Sequence, residues 1–569
     1  MLILIESGLV LVALIVALIF PEAGSNWFEA LERGFARLAR RRGFSVLLVG
    51  LTALALRAAI VPVEPIPEPI IHDEFGYLLA GDTFAHGRLT NPTHPLWVHF
   101  ESFAIIQKPT YQCYAQPGQG LVLAFGKVVF GHPFWGVWLC AGLMCAAICW
   151  MLQAWLPARW ALLGGLLAIL RYGTFGYWAN SYWGGAMGAI GGALVLGALP
   201  RIKRCQRVRD ALIMGVGLAI LANNRPYEGF VLSVPVAVAL FTWMLGKQRP
   251  PLSLSVRHVV VPIFLLLGVA AVAMGYYFWR VTGSPFRMPY SLQQEVNLAP
   301  YMIWQSPRPA PVYHHHVFWK MCVDQMPRMY ALLRSPAGMV MKSASMWFFF
   351  FGPALTFPLL MAIATLPYGF LWRDISRSMR FLLIAFTISL GSMTLETFFF
   401  PHYAAPMTGL ILALVLRSMR RLELWRLCGR PTGLFVTRAI PSICVIMFVL
   451  RAAAGPLHIP VVDAPFYAPG YYQQGPRSFG RAELQQQLEH VAGRQLVIVR
   501  YKPSHEPFNE WVYNSADIDG SKVVWARDMS PEENEELIKY FRERRVWLLE
   551  PDEAPPKLSS YPAKQAERR

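Results

Sequence analysis

The sequence has 569 residues, of which 55% are hydrophobic and only 15% are charged. A chain this apolar, with repeated apolar runs of membrane-spanning length, is not an ordinary soluble protein, and we expect it to cross a membrane many times. Its formal charge of +18 comes from short basic clusters between the apolar runs, so membrane topology explains it better than a nucleic-acid partner does.

The first apolar run, residues 2–20, predicts a membrane-spanning helix that is retained in the protein. It lacks the basic start and the small-residue cleavage site of a signal peptide. The strongly basic segment that follows, residues 31–44, is expected on the cytoplasmic side. A second helix at about residues 45–62 then leaves the cytoplasm, so the polar segment from Val63 onward is expected on the external, non-cytoplasmic side.

Ten further apolar runs predict helices, which brings the expected total to about twelve, in a range of about eleven to thirteen. Basic clusters that were not used to place these helices all fall on the cytoplasmic side, which supports the orientation. The expected fold class is an all-α polytopic membrane protein. The ten helices are expected at residues 134–153, 158–173, 184–200, 210–223, 229–246, 258–278, 343–371, 380–396, 405–418 and 434–453, and the basic clusters at residues 201–209, 246–258, 371–380 and 417–430.

The chain changes character after residue 453, where periodicity and β-branched content predict a small α/β domain outside the membrane. Ser530, Pro531 and Glu533 have the pattern of a helix start, with serine as N-cap and glutamate reaching back to it. The basic end, residues 562–569, is expected to be disordered. We therefore predict a transmembrane domain at residues 1–453, with a large external loop at 63–133, and an external domain at residues 454–569. Within that domain, helices are expected at residues 481–493 and 532–545, and strands at residues 495–501, 522–528 and 546–552.

The acidic pair Asp73-Glu74 lies in the first external loop, near the point where the second predicted helix leaves the membrane. A carboxylate at such a helix start is placed to act as a general base on a substrate hydroxyl that enters from outside. Asp73 is the candidate base. On position alone, the alternative that Asp73 caps the helix and stabilises its dipole stays open.

Lys108 and Tyr114 belong to a Pro/Gly-rich segment of the same loop, residues 107–120. The Lys108 ammonium is a candidate to bind a phosphate as a point charge, and the alternative is an ordinary exposed loop lysine. Tyr114 is a candidate substrate contact because of its external position.

Arg225 and Glu228 lie between two apolar runs, in the segment ANNRPYEGF at residues 222–230. Either they pair with each other at i, i+3 to form a tight interhelical turn, or Arg225 binds an anionic head group. The turn at residues 395–406 places His402 and Tyr403 at the external face. A head-group contact is the functional reading of that turn, and an aromatic belt is the alternative for Tyr403.

Three adjacent histidines, at residues 314–316, invite a metal site. Adjacent histidines point in different directions, and no carboxylate or cysteine lies at ligand spacing, so a single phosphate-contacting or catalytic histidine is favoured, with His315 as the candidate. No metal site and no cofactor are assigned, and a divalent cation is left open. The sequence also lacks a phosphate-cradling glycine loop, so cytoplasmic nucleotide chemistry is not indicated, and any donor substrate is expected to be lipid-linked.

In this order and on this membrane side, Asp73-Glu74 followed by Lys108-Pro109 resembles the GT-C superfold of membrane glycosyltransferases, which includes protein O-mannosyltransferases and lipid A aminoarabinose transferases. The first loop is similar to that of a bacterial subgroup reading HDEFxYLLAxDTFAHGRLTNPxHP. The resemblance implies Asp73, with Glu74 beside it, as catalytic, Lys108 near the donor phosphate and a polyprenyl-phosphate sugar as donor. The acceptor is expected to be a glycan, lipid or protein at the periplasmic face of a bacterial inner membrane. The chain departs from the usual Lys-Pro-Pro form, because Thr110 follows Pro109, and this weakens the assignment of Lys108.

Two other functions are compatible with a polytopic chain. A transporter or flippase of lipid-linked or small substrates would also have many helices, but it should show two related halves with broken helices at matching positions, and the sequence shows no such symmetry. A non-catalytic assembly scaffold would bind through the tail and has no need of a carboxylate at Asp73.

Overall fold

The structure is a computed structural model that describes residues 1–246, 250–296, 300–367, 371–463, 470–474 and 480–562. Three sequence expectations fall partly or wholly outside these residues. They are the basic cluster at 246–258, the end of the helix predicted at 343–371 and the disordered end predicted at 562–569.

Helices dominate the described residues. The first twelve are α1 (Leu2–Ile19), α2 (Ser25–Arg40), α3 (Arg42–Ala59), α4 (His72–Ala85), α5 (Pro117–Phe130), α6 (Phe134–Trp155), α7 (Ala158–Ala168), α8 (Ala186–Cys205), α9 (Val208–Ala222), α10 (Pro226–Leu245), α11 (Leu252–Ser255) and α12 (Val261–Thr282). The remaining helices are α13 (Pro289–Val296), α14 (His316–Trp319), α15 (Met326–Arg334), α16 (Pro336–Phe350), α17 (Gly352–Ala364), α18 (Arg377–Met393), α19 (Thr408–Leu422), α20 (Thr432–Ala452), α21 (Arg481–His490) and α22 (Pro531–Tyr540).

The strands are short and form three sheets among the described residues. They are β1 (Asn91–Pro92), β2 (Ile105–Ile106), β3 (Thr110–Cys113), β4 (Val462–Asp463), β5 (Gln473–Gln474), β6 (Arg494–Val499), β7 (Val523–Arg527), β8 (Arg544–Glu550) and β9 (Lys557–Ser560).

Seven helical segments of the described chain are long and apolar enough to cross a bilayer: α1, α3, α6, α8, α10, the continuous run from α11 through α12, and α20. An eighth is added if α16 and α17, which are bent by 98° at their junction, form one broken span. The chain is therefore a multi-pass membrane protein, as its composition predicts.

Each of the twelve predicted spans has a helix at its place, but twelve crossings are not confirmed. Four of these helices, α7, α9, α18 and α19, have only 11, 15, 17 and 15 residues. Helix α7 continues into a π-helical turn at Ile169–Gly173, and even with this turn it rises only about 24 Å, against a hydrocarbon core of about 30 Å. The single helix predicted at 343–371 is in fact two helices, because the chain turns at Gly352, whose φ of +58° favours glycine.

The chain forms two compact units, each made of three separate stretches. Unit 1 consists of Met1–Pro67, Gly136–Val272 and Leu333–Gly475, and unit 2 of Glu68–Trp135, Ala273–Leu332 and Pro476–Arg569. The predicted boundary at residues 453 and 454 divides the chain once along its length, whereas these units are discontinuous.

Small residues allow close packing in unit 1. Helix α8 begins with AMGAIGGA, and a side chain added at Gly192 would meet the backbone oxygen of Pro406 at 1.8 Å. Only glycine fits this contact, as is common where membrane helices approach closely. The contact fixes the turn at residues 401–407 against α8, and this turn carries His402 and Tyr403.

Unit 2 contains a four-stranded sheet in the order β7-β6-β8-β9, in which β6 runs parallel to β7 and β8, and β9 runs antiparallel to β8. The two helices and three strands expected in the tail are all present, and β9 was not predicted. Helix α22 begins with the expected capping box, in which Ser530 Oγ accepts the Glu533 amide at 3.3 Å and Glu533 accepts the Ser530 amide at 3.2 Å.

The loop between α3 and α6 and the tail share one hydrophobic core in unit 2. Phe75 of α4 stacks on Tyr513 of the tail, with ring centroids 3.8 Å apart and planes 6° apart. The packing of the loop against the sheet is a feature that the sequence did not predict. The loop contributes Phe75, Leu79, Phe100, Ile105 and Tyr111 to this core, and the sheet strands contribute Leu496, Ile498, Val524 and Ala526.

Candidate functional site

Asp73 lies in the first turn of α4 and is partly buried. Its Oδ1 accepts a 3.0 Å hydrogen bond from the hydroxyl of Tyr114, a residue that directly follows β3. Tyr114 in turn stacks on Tyr290, with centroids 5.4 Å apart. Two of the residues singled out from the sequence, Asp73 and Tyr114, are thus in direct contact.

Glu74, the other member of the acidic pair, is buried and caps its own helix. Its Oε2 accepts the backbone amides of Ile70 at 2.9 Å and Ile71 at 3.3 Å. The sequence left a capping role open for Asp73, and in the structure the Glu74 carboxylate satisfies these amides. One oxygen of the Asp73 carboxylate accepts the Tyr114 hydroxyl.

His72 anchors the start of α4 to the tail. Its Nδ1 is hydrogen-bonded to the hydroxyl of Tyr513, and its ring packs 4.6 Å from that of Phe103. Burial lowers the pKa of His72 to about 4, although nearby Glu510 opposes the shift. His72 is therefore neutral at physiological pH, and it fixes the helical turn that presents Asp73.

Lys108 belongs to a different group of residues in unit 2. Its exposed ammonium lies 4.1 Å from the centroid of the Trp97 ring, which is a cation–π contact. Trp97 meets His314 edge-on at 5.3 Å. Lys108 and Trp97 make these contacts with residues other than Asp73 and Tyr114.

His315 is held by the first loop. Its Nε2 donates to the carbonyl of Val98 at 2.8 Å and lies 3.3 Å from Oε2 of Glu101, an oxygen that also binds His314 Nδ1 at 3.0 Å. Burial lowers the pKa of His315 below its ordinary value. Within the part of the chain that the structure describes, no three His, Cys, Asp or Glu side chains are grouped to hold a metal ion.

In unit 1, Arg225 and Tyr403 come together. The guanidinium carbon of Arg225 lies 4.6 Å from the Tyr403 ring centroid, and Nη1 lies 3.7 Å from Oε1 of Glu228. The i, i+3 pair that the sequence allowed is therefore present. The Glu228 pair and the Tyr403 ring contact do not test whether Arg225 binds a head group, and that role stays a prediction.

His402 is buried beside this pair, under the aromatic residues of its turn. The Tyr177 hydroxyl accepts the backbone N–H of His402 at 2.9 Å and lies 2.8 Å from its Nδ1. Phe400 lies parallel to the imidazole at 5.6 Å. His402 is thus held by two hydrogen bonds to one tyrosine.

Lys342 and Glu396 complete the cluster in unit 1. The buried Lys342 of α16 donates to the backbone oxygen of Glu396 at 2.6 Å. The Glu396 carboxylate interacts electrostatically with Glu228, Arg225 and Lys342, and its Oε1 has no hydrogen-bond partner among the described residues. Sequence reasoning missed Lys342, although a lone lysine inside an apolar helix is a recognised signal of function.

An apolar cavity of about 390 Å³ in unit 1 has Lys342 in its wall. The remaining wall is mostly hydrophobic and comes from α16, α18 and the segment after α18. Its apolar lining residues are Met339, Met346, Trp347, Phe351, Phe386, Leu390, Met393 and Phe399. A cavity with one ammonium and apolar walls suits an amphiphilic ligand better than a fully polar one.

No protein-family profile matches the sequence, and no curated protein sequence matches it significantly. Solved structures do match. The oligosaccharyltransferase of Archaeoglobus fulgidus, in its apo form, has a TM-score of 0.50 at 12% sequence identity, over 89% of this chain and 69% of that chain. The chain has a GT-C-like fold. ArnT from Cupriavidus metallidurans, in its apo state, has a TM-score of 0.46 at 12% identity, over 89% of this chain and 92% of that chain.

The resemblance to GT-C glycosyltransferases is thus confirmed at the level of the fold. At 12% identity the likeness concerns the fold alone, so the roles of individual residues depend on the geometry described above. Membership of the bacterial subgroup stays a prediction.

Proposed function

We propose that this chain is a membrane glycosyltransferase. It transfers a sugar from a polyprenyl-phosphate donor to a hydroxyl of a glycan, lipid or protein acceptor at the periplasmic face of a bacterial inner membrane. Its GT-C-like fold and multi-pass character support this class of function. The observation that carries the proposal is the contact of Asp73 with Tyr114, combined with the capping of α4 by Glu74.

Asp73 is assigned as the general base. Glu74 binds the amides of Ile70 and Ile71, the two residues before α4, so the helix start already has one stabilising carboxylate. The Tyr114 hydroxyl orients the Asp73 carboxylate, which is proposed to take the proton of the acceptor hydroxyl.

The reaction is a single displacement at the anomeric carbon of the donor sugar. Asp73 removes the proton of the acceptor hydroxyl while the acceptor oxygen bonds to the anomeric carbon. The bond from that carbon to the phosphate oxygen breaks, and the polyprenyl phosphate leaves with the electron pair. The phosphate is a good leaving group, so the protein stabilises its charge rather than protonating it.

The cluster in unit 1 is assigned to the lipid phosphate. Arg225 and Lys342 supply positive charge, and the adjoining apolar cavity of about 390 Å³ suits the first isoprene units of the lipid. Glu228, His402 and Tyr403 hold this cluster through the contacts described above. In unit 2, Lys108 and His315 are further candidates for a phosphate contact.

The base assignment is tested in a strain that lacks the gene, where the lipid-linked donor should accumulate and be identified by mass spectrometry. The Asp73→Asn protein should leave the accumulation unchanged, because loss of a general base costs about 100-fold or more in rate. Asp519→Asn is the matched control, because the Asp519 carboxylate also accepts a tyrosine hydroxyl, that of Tyr540 at 3.1 Å. This variant should still consume the donor, and clearance of the donor by Asp73→Asn would refute the base assignment.

The phosphate assignment is tested by binding of a short polyprenyl phosphate to the purified protein. Arg225→Gln should weaken binding about tenfold, since it removes a charge-assisted contact. Arg438→Gln is the control, because Arg438 has the same kind of surroundings, a carboxylate partner at 2.8 Å in Glu32 and an aromatic ring at 5.5 Å in Phe28. Equal losses in the two variants would contradict the assignment.

The rival function, a flippase or transporter, gives a different result in proteoliposomes. It moves the lipid-linked sugar across the bilayer without consuming it, whereas a transferase consumes it only when an acceptor is present.

A further inference from the structure

A polar cavity in unit 2 is lined by residues that, apart from His315, have no role in the proposed transfer. Its volume is about 440 Å³, and it lies beside the carboxyl ends of the parallel strands β6 and β7, whose last residues, Val499 and Arg527, line it. In open α/β sheets, ligands bind at the carboxyl ends of parallel strands. His314, His315 and His316 form part of its wall.

The lining of this cavity is rich in nitrogen donors. Four lysine or arginine side chains and four histidines line it, against two carboxylates. Three of the four cations pair with carboxylates: Arg500 with Asp528, Arg527 with Glu510 and Lys502 with Glu553. These ion pairs fix the guanidinium and ammonium groups in the wall, and their remaining N–H donors suit a negatively charged group of a ligand.

Two buried side chains in the wall each keep a nitrogen without a hydrogen-bond partner among the described residues. They are Nη1 of Arg527 and Nε2 of His505, whose side chains are only 2% and 4% exposed. Buried polar atoms are nearly always paired with protein, water or a ligand, so these two nitrogens are available to a partner at the cavity wall.

The rest of each side chain is rigidly held. Arg527 pairs with Glu510 and donates through Nε to the backbone oxygen of Glu101 at 2.7 Å. The Nδ1 of His505 lies 2.6 Å from Oδ1 of Asp552, and its ring stacks on Tyr501 at 3.9 Å. Because both groups are fixed before a ligand arrives, binding costs them little conformational entropy.

The loop after β6 is fixed in the same way. Lys320 donates to the backbone oxygens of Ser504 at 2.8 Å and His505 at 2.6 Å. Lys320 thus links the cavity wall formed by residues 314–317 to the wall formed by the loop after β6. The cavity is thus a built site within unit 2 rather than an accidental gap between side chains.

We propose that this cavity binds an anionic saccharide, a sugar that carries a phosphate or a carboxylate group. The volume lies in the range of about 300–1,000 Å³ typical of small-molecule sites and exceeds the need of a lone phosphate ion. The N–H donors of the arginine, lysine and histidine side chains match the acid group, and the polar lining with the Tyr501 ring suits a hydroxylated ring. Binding at this site does not depend on the transfer reaction.

The test uses the full-length protein in lipid nanodiscs and measures binding by calorimetry. The probes are glucose 1-phosphate, glucuronic acid and neutral glucose. Saturable binding of either anionic sugar, at least about tenfold tighter than glucose, is expected, and the probe that binds identifies the acid. Absence of saturable binding by both anionic sugars, or equal binding of glucose, overturns the proposal.

Variants locate the binding to the cavity. His505→Gln should weaken it about tenfold, whereas His490→Gln, on the exposed end of α21, should not. Because His505 is buried, Lys502→Gln is a second variant on the cavity wall, with exposed Lys522→Gln as its control. Unchanged affinity in Lys502→Gln and His505→Gln refutes the site, and Asp73→Asn should bind normally even if transfer is lost.

Discussion

The Tyr114 hydroxyl donates a 3.0 Å hydrogen bond to Oδ1 of Asp73, and this contact joins two distant segments of the loop between α3 and α6. Asp73 begins α4, and Tyr114 lies 41 residues later, after β3. The proposed base is thus positioned by a second segment of the loop, and the tyrosine is a positioning residue rather than a reacting group.

Tyr114→Phe should lower kcat about tenfold and leave the KM for the donor nearly unchanged. The variant removes one hydrogen bond to a charged group, a contact worth about 1.5–3 kcal/mol, without removing the aromatic ring that stacks on Tyr290. Transfer kinetics with the donor identified in the deletion strain check this prediction.

Tyr540→Phe is the matched control, because Tyr540 makes a similar bond of 3.1 Å to Oδ2 of Asp519 at an exposed position of unit 2. It should leave both constants unchanged. If Tyr114→Phe raises only KM, Tyr114 binds substrate and does not position the base.

The stability of unit 2 should depend on the protonation of His72. Its pKa is about 4 in the folded protein, because burial disfavours the charged form, and about 6.5 in an unfolded chain. The folded state therefore binds fewer protons between these values, so this contribution is complete above about pH 6.5 and is lost as the pH falls towards 4. The difference corresponds to about 3 kcal/mol.

Thermal unfolding of the wild type and His72→Asn between pH 4 and pH 7.5 measures this contribution. The variant should be less stable at pH 7.5, since it loses packing against Phe103, but its stability should fall less steeply with decreasing pH. Parallel pH profiles for the two proteins would show that His72 is not the titrating group.

Sequence reasoning located most secondary structure because the signals are local. Apolar runs marked helices at all twelve predicted places, and the pattern at Ser530 marked the start of α22. The bend between α16 and α17 was missed because both sides of Gly352 are equally apolar. Periodicity cannot distinguish a straight helix from two helices joined by one residue with positive φ.

The candidate site was only partly predictable, for a physical reason. Asp73, Arg225 and His402 were singled out as charged or polar groups near apolar runs, but their partners come from distant parts of the chain. His72 meets Tyr513, 441 residues away, and His402 meets Tyr177, 225 residues away. Contacts between residues so far apart in the chain cannot be read from local sequence patterns. For the same reason the packing of the loop against the tail was not predicted.

The shared core of loop and tail predicts that Phe75→Ala destabilises the tail as well as the loop. The Phe75 ring is 7% exposed and stacks on Tyr513, so its loss should cost about 3–5 kcal/mol. Limited proteolysis followed by mass spectrometry should show faster cleavage within residues 480–562. Phe286→Ala, at a side chain 96% exposed in the same unit, should not change the cleavage rate, and an intact tail in Phe75→Ala would refute the shared core.

Glu6 forms a fully buried ionic cluster in unit 1, which ties α1 to the bend between α16 and α17. Its Oε2 lies 3.3 Å from Arg171 Nη1 and accepts the Tyr472 hydroxyl at 2.5 Å, while Oε1 accepts the Ala354 amide at 2.9 Å. Arg171 also donates to the backbone oxygen of Phe351 at 2.6 Å. Glu6 and Arg171 thus bind backbone groups on both sides of the bend between α16 and α17.

Glu6→Gln should lower the stability of the detergent-solubilised protein by about 3–5 kcal/mol, because it leaves the Arg171 charge buried and uncompensated. The double variant Glu6→Gln/Arg171→Gln should recover part of this loss, since removing both charges also removes their desolvation cost. Glu22→Gln, at an exposed position after α1, is the control and should be neutral. A double variant less stable than Glu6→Gln would mean that Arg171 stabilises the bend through Phe351 rather than through its pairing with Glu6.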